Sequence, residues 1–354
     1  MRRVRVAAAA VAIAVAVAVG LDVSEGSSAG PRLAIAYVRG TASSVPQVWI
    51  AGPDGEHARR LGPGTEPLLA PAGSLVAAST VARSGPALVV YSAGAPASAR
   101  AFFDVRRAIA SAAAWSSDSR YVAVTLSSTD PLSDASSGLA VIDTRTWSYR
   151  VIARGSIYGA SFAPNASDHL AYALARGASL TAPVDVHVSA ADGRGDRRIT
   201  FDGRSLYPVW GAHAIAFAHE RLRPMAAPVC QVWLMRPDGG HRVDLTHVRV
   251  PPLMDGLVPI SFTGGGAWVL AEYEGQDTSR AWAISVARRQ ARELRVDGQP
   301  VAGSALSRSG GLALVDVGGF LNSPDAGAVV ALPLAGSGRP RLLAAHGSDP
   351  SWSF

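Results

Sequence analysis

The 354-residue sequence predicts an all-β chain folded as a seven-bladed β-propeller over residues 31–354. Three observations predict it: a hairpin motif returns at a fixed period, a bulky marker followed by turn residues returns at the same period, and an apolar run follows six of the seven markers. Composition agrees. The 36 Gly and 23 Pro suit short strands and tight turns, while 48% hydrophobic against 17% charged residues supply a core and exclude a disordered chain.

A leader stands before the repeats. Arg2, Arg3 and Arg5 precede sixteen uncharged residues, Val6–Leu21, nearly all Ala and Val, and Ser27-Ser28-Ala29 places small residues where a signal peptidase reads them. Residues 1–29 are therefore expected to be a signal peptide and the protein to be exported, to periplasm, cell envelope or exterior. A run this short and rich in Ala favours cleavage, so a membrane association is expected only if the leader stays on. The G-x-S-x-G match at Gly26–Gly30 falls inside this leader, away from the strand and helix a nucleophile elbow needs.

The hairpins come next. Gln47-Val48-Trp49, Val186-His187-Val188 and Gln231-Val232-Trp233 each open a short strand that ends in an Asp-Gly pair and resumes as a second strand. The pairs begin at 54, 192 and 238, separated by 138 and 46, the first being three times the second. Asp-Gly suits a type I′ turn, so each copy is expected to be a two-residue β-hairpin. The markers are Leu69, Trp115, Phe162, Trp210, Phe262, Leu306 and Trp352, at intervals of 46, 47, 48, 52, 44 and 46. The runs after them, such as Leu75–Ala78 and Leu312–Val315, lack alternation, as expected of strands covered on both faces. A seventh run, Leu33–Val38, has no marker before it, while Asp349–Phe354 has no run after it. The C-terminal segment is thus expected to supply the innermost strand of the first blade and close the ring.

Several function classes are excluded or disfavoured. All 33 basic residues are Arg, so lysine-base and Schiff-base chemistry are excluded. The net charge of +6 is spread thinly with no run of more than two arginines, which argues against nucleic acid. Cys230, the one cysteine, is expected to be a packed, inert thiol. The eight histidines show no metal-ligand spacing; His57 and His241 fall on hairpin turns, and His213 and His219 flank one strand, roughly 20 Å apart. Asp192–Asp196 lacks a calcium-loop ligand pattern, and the sequon at Asn165 coincides with a repeat turn. No metal and no cofactor is expected.

The strings Gln231-Val232-Trp233-Leu234 to Asp238-Gly239, and Trp115-Ser116-Ser117-Asp118-Ser119, resemble the repeats of TolB-type β-propellers, in which a Q-[IV]-W-[VL]-x-x-x-D-G hairpin is followed by a W-S-P-D-G turn. The resemblance implies the propeller fold. It implies less about use, since such blades occur in periplasmic scaffolds, in gating domains of prolyl-oligopeptidase-like enzymes and in some lyases. Family members carry a six-bladed ring behind a small α/β domain that this chain is expected to lack, as it is expected to lack a following hydrolase domain. No Tol–Pal partner is therefore carried over.

Candidate function is sought where inner strands meet the channel. Glu66, Tyr207 and Asp349 each precede a proline at the start of such a strand and are expected to face the channel mouth, where two carboxylates could hold a cation or a basic group or merely solvate the opening. Three longer segments, Ser127–Gly138, Glu220–Val229 and His247–Asp255, are expected to be loops, with Arg221, Arg223, Arg249, Met254 and Asp255 as a candidate partner surface. The expected function is a non-enzymatic exported scaffold that binds a protein, peptide or envelope glycan. The alternatives are a metal-dependent lyase or hydrolase at the channel mouth, and a gating propeller that docks on a separate peptidase.

Overall fold

The computed structural model describes residues 34–353 apart from 41–43, 81–83, 95–97, 131–134, 178, 180–181, 224–225, 251–253, 276–278, 308, 319–326 and 335–337. The expected leader, residues 1–29, lies outside the described residues. Among the described residues every element is a strand and there is no helix.

The strands assemble into sheets in chain order. Thr65–Leu69, Leu75–Ser79, Pro86–Ser92 and Ala99–Asp104 form one antiparallel four-stranded meander. The pattern returns in the sheets that begin with Ala108–Trp115, Ile157–Ala163 and Ala302–Leu306. An eight-stranded sheet holds two further meanders, beginning with Ser205–Trp210 and Met254–Phe262, joined through one parallel bridge between Cys230 and Gly256. The first sheet is completed from the far end of the chain: Ser348–Trp352 pairs antiparallel with Ile35–Arg39, which continues to Gln47–Ala51 and Arg59–Pro63.

Leading strands of successive sheets touch one another, and the last contact returns to the first, from Ser348–Trp352 to Thr65–Leu69. Hydrogen bonds mark these contacts. The Ser351 hydroxyl accepts from Leu69 N at 2.9 Å, the Trp115 indole donates to Leu68 O at 2.9 Å, and the Trp352 indole donates to Leu306 O at 3.3 Å. The apolar runs of the sequence are the second strands, and their side chains fill the layers between neighbouring sheets. Ile35, Tyr37, Leu314, Val329 and Trp352 make one such layer, between the last sheet and the first. Covered on both sides, these strands need no polar face, which is why alternation is missing from their sequence.

The outermost strands give five of the arginines a structural task. Arg150, Arg197, Arg292 and Arg341 each reach from an outer strand to a backbone carbonyl in the third-to-fourth-strand turn of the next sheet: Asp192 O at 3.3 Å, Pro237 O at 3.2 Å, Leu334 O at 2.8 Å and Pro53 O at 2.9 Å. Arg59 makes the same reach to Ala93 O and Gly94 O. A planar guanidinium with several donors fits this bridging, and an ammonium on a flexible stem does not fit it as well.

The Asp-Gly hairpins are not type I′ turns. Gly55, Gly193 and Gly239 have φ of 89°, 83° and 89°, while the preceding aspartates are not left-handed. Each glycine N–H donates three residues back, to Gly52 O, Ala190 O and Arg236 O, and each Asp Oδ1 accepts from the backbone N–H two residues on. This is a type I turn followed by a left-handed residue. Pro53 and Pro237 at the first central position fix φ near −65° and so rule out the mirror-image turn. The glycine is also required by its neighbour: a Cβ on Gly55 would lie 2.0 Å from Leu343 O, and one on Gly239 2.3 Å from Ile199 O.

Candidate functional site

The leading strands carry β-bulges at one end of the channel, and these place the proline-preceded residues named above. The register slips between Thr65 and Leu68, between Leu206 and Val209, and opposite Ala36/Val38 where Asp349 and Pro350 lie. Glu66, Tyr207 and Asp349 all adopt positive φ, at 50°, 50° and 47°. A non-glycine residue there is strained, and a following proline normally drives its predecessor to extended backbone. Three repeats of the same uncommon arrangement aim three side chains off the regular pleat.

Glu66 and Asp349 are exposed and Tyr207 is half-buried. The Ser79 hydroxyl lies 3.4 Å from Glu66 Oε2 and donates to Ala110 O at 2.9 Å, which ties the glutamate to the next leading strand. The backbone N–H of Asp349 donates to Asp316 Oδ2 at 3.3 Å. Asp316 is buried, at the end of the apolar run Leu312–Val317. It is not among the candidates named above, although a carboxylate interrupting an otherwise apolar strand is a sequence signal for it. Asp316, Asp349 and Glu66 thus stand on three consecutive sheets, an acidic arc around part of the mouth. Tyr207 stands elsewhere on the rim, edge-on to Tyr158 with ring centroids 6.1 Å apart, and Gly159 lets the two strands approach: a Cβ there would be 3.1 Å from Tyr207 Cα. The structure therefore brings Glu66 and Asp349 to neighbouring strands and leaves Tyr207 apart from them.

Deeper in, residues at the far ends of the leading strands line the channel, Ser161 and Ser261 among them. A cavity of about 290 Å³ is lined by Ala113, Trp115, Val209, Trp210, Ile260 and Phe262 among others.

The candidate partner surface is partly rearranged relative to expectation. Glu220–Val229 is not a loop: Ile215–Arg223 and Ala226–Met235 extend as a hairpin in which Glu220 pairs with Cys230 and Arg221 with Val229. Nor do Met254 and Asp255 belong to an inserted connection, because they begin the leading strand Met254–Phe262. The apolar alternation of that segment was hidden by Pro251, Pro252 and Pro259 around it. Asp255 and Arg249 are exposed. Arg221 pairs with Asp244 Oδ2 at 2.9 Å, and Arg223 donates to Val250 O at 3.0 Å, clipping the hairpin to the connection that carries Arg249.

Beside them, the His219 ring stacks on Trp233 at 4.5 Å with Nε2 3.7 Å from Asp202. Burial holds the His219 pKa below the usual imidazole value and lifts that of Glu220 above the usual carboxylate value. The motif glutamine proves structural: the Gln231 amide accepts from the Thr246 hydroxyl at 2.8 Å and donates to Val248 O at 2.8 Å, pinning the same connection. Cys230 is a buried thiol. His57 and His241 sit on hairpin turns with φ of 55° and 50°. Among the described residues no group of three or more His, Cys, Asp or Glu is placed to hold a metal ion, and no helix is long and apolar enough to cross a membrane.

Comparison with known proteins adds the fold's kinship. No protein-family model matches the chain. No curated protein matches its sequence significantly. Solved structures do match in shape. TolB from Acinetobacter baumannii superimposes with a TM-score of 0.55 at 14% identity over 91% of this chain, which spans 66% of that one. The β-propeller domain of the Trilobed protease from Pyrococcus furiosus, described as having an open velcro topology, gives 0.61 at 12% identity over 88% and 94% of the two chains. Oligogalacturonate lyase from Vibrio parahaemolyticus gives 0.53 at 12% identity over 88% and 85%. At such identities the likeness concerns the fold alone, and that fold is a TolB-like β-propeller.

Proposed function

From a TolB-like β-propeller as premise, we propose that this protein is an exported, seven-bladed scaffold that binds a protein, peptide or envelope-glycan partner through the face carrying the channel mouth, with no catalytic step of its own. The closed cycle of leading-strand contacts supports the blade number, and the charged, Ala-rich leader supports export. One observation carries the binding assignment: Glu66, Tyr207 and Asp349, on three different strands, each hold a strained left-handed conformation directly before proline at the same mouth. Strain of this kind costs on the order of 1 kcal/mol or more per residue and persists where side-chain aim is needed. The carboxylates of Glu66 and Asp349 present hydrogen-bond acceptors to a basic group, and Tyr207 presents a face and a hydroxyl.

Thermal-shift titration of residues 30–354 against cationic peptides, uronide and cell-wall fragments, and divalent cations tests this. Stabilisation by a peptide or glycan, reduced at least tenfold in apparent affinity by Glu66→Gln with Asp349→Asn, is the expected result. Cation-dependent cleavage of a uronide by the wild type would instead establish the lyase alternative, to which the likeness with oligogalacturonate lyase lends the fold.

A further inference from the structure

We infer that the same face carries a second, oppositely charged docking patch, built from Phe201, Leu222 and the arginines around them, whose occupant is an acidic polypeptide segment bearing an apolar side chain. This rests on the proposed partner-binding role and names the chemistry of the partner.

Phe201 and Leu222 are 64% and 61% exposed, the most exposed of the large apolar side chains among the described residues. The others stand apart: Ile109 on a leading strand, Tyr149 and Leu342 on outer strands of two other sheets. Phe201 and Leu222 belong to neighbouring segments. Phe201 lies in the connection that enters the leading strand Ser205–Trp210, and Leu222 lies at the tip of the hairpin that follows. The two segments are bonded directly, Glu220 N to Arg204 O at 2.9 Å, with His219 beside Asp202. Both lie at the channel-mouth end, since Ser205 pairs with His219 two residues before Tyr207.

The charge exposed around these two side chains is positive. The Arg198 guanidinium lies 4.5 Å from the Phe201 ring centroid, Arg221 flanks Leu222, and Arg204 and Arg249 are exposed and make no ion pair among the described residues. Three carboxylates here are already paired with arginines. Asp185 is fully buried between Arg176 and Arg198, Asp202 is held by Arg242 at 2.7 Å, and Asp244, 15% exposed, is held by Arg221. Asp202 and Asp255 are the exposed acids of this sector, and Asp202 is the one already held by an arginine. Two apolar anchors flanked by arginines, of which Arg204 and Arg249 make no ion pair among the described residues, match an acidic segment with one or two apolar side chains. Exposed guanidinium groups add steering that weakens with salt. A bilayer surface fits less well, because the apolar part is two side chains rather than a continuous face.

Selection of random twelve-residue peptides on residues 30–354 tests the inference, run in parallel on the wild type, on Phe201→Ser/Leu222→Ser, on Arg204→Ser/Arg249→Ser and on Glu66→Gln/Asp349→Asn. Peptides enriched on the wild type are expected to combine Asp or Glu with Leu, Ile or Phe. They are expected to lose at least tenfold in affinity on the first two variants and at higher salt, and to keep affinity on the third. Protection of backbone amides in 199–204 and 219–223 of the wild type on peptide binding is expected as well, and this readout needs no variant to fold. Enrichment of basic or uncharged peptides, unchanged affinity on the patch variants, or no enrichment while vesicles of phosphatidylcholine with one-fifth phosphatidylglycerol bind, each overturns it. Loss confined to the Glu66/Asp349 variant overturns this patch and leaves the mouth as the binding site. An empty selection overturns the patch alone, the mouth being tested separately by the titration above.

Discussion

Tyr91 is buried, and its hydroxyl crosses from one sheet to the next to donate to Pro63 O at 2.7 Å. Burial pushes its pKa up to about 12 from 10.0. A pKa raised on folding contributes stability that is complete below pH 10 and is lost as pH climbs from 10 through 12, roughly 2–3 kcal/mol across that window. Tyr91→Phe is expected to cost about 1 kcal/mol at neutral pH, by orphaning the carbonyl, and to flatten the stability profile between pH 10 and 12, as read by urea unfolding at stepped pH. The Arg120–Asp143 pair acts at the other end of the scale. Hydrogen bonding to Arg120 holds the Asp143 pKa below the usual carboxylate range, so its contribution is present above the unfolded value and fades as pH falls through the lower, folded one. Asp143→Asn should therefore leave the acid limb of the same profile shallower. Neither tyrosine nor aspartate could be singled out from sequence, because each is defined by a partner more than twenty residues away, Pro63 on another strand and Arg120 in a turn. Ser119 is a sharper case. It stands where the resembling repeat has Gly, adopts φ of 62° itself, and repays the strain through its hydroxyl, which accepts from Ala72 N at 2.8 Å in the preceding sheet.

At the scale of elements, periodicity made the second strands, the markers and the displaced terminal strand legible, because each depends on burial that every repeat shares. Turn type was not legible from the Asp-Gly pair, since Pro53 and Pro237 and the carbonyl of the adjoining sheet decide it. The bulged rim was equally hidden: proline signalled a strand start at Glu66, Tyr207 and Asp349, but nothing local announces positive φ before proline. The hairpin turns also show why Asp-Gly recurs at all. Gly239 packs against Ile199 of the neighbouring sheet while Arg197 holds Pro237 O, and Gly55 with Arg341 repeats the arrangement across the junction of last and first sheets. Gly239→Ala combines a left-handed alanine with an overlap against backbone oxygen and is expected to destabilise by roughly 2–4 kcal/mol. Arg197→Met, which removes one bridging hydrogen bond and keeps the stem, should cost about 1 kcal/mol. Denaturant midpoints of the two variants would show the order; equal midpoints would mean the turn is free to move away from its neighbour.

The whole molecule depends on one strand brought from the far end of the chain. Ser348–Trp352 completes the first sheet and offers side chains to both sheets beside it: Ser351 to Leu69 and Trp352 to Leu306, with the indole packed among Ile35, Tyr37, Leu314 and Val329. In an open stack of repeats, removal of an end strand frays its own unit and leaves the others near their original stability. A closed ring behaves differently. Without residues 348–354 the first sheet loses its leading strand, the last sheet loses the surface that covers Leu314 and Val329, and the second loses the acceptor for Leu69 N. A chain ending at Gly347 is therefore expected to lose cooperative unfolding or to fall by well over 10 °C in Tm, with amide protection lost first in Ile35–Arg39. Trp352→Ala, which keeps the strand and empties its place in the layer, should cost about 3–5 kcal/mol and remain cooperative. A synthetic peptide of residues 348–354 added to the truncated chain should restore part of the protection in Ile35–Arg39. Truncation that leaves protection elsewhere and Tm untouched would mean that each sheet stands alone and that closure contributes nothing to the stability of the fold. The rim would feel closure too: Asp349 sits on the terminal strand beside Asp316 and one sheet from Glu66, so an opened ring would disperse the acidic arc and leave the arginine patch, on other sheets of the same face, intact.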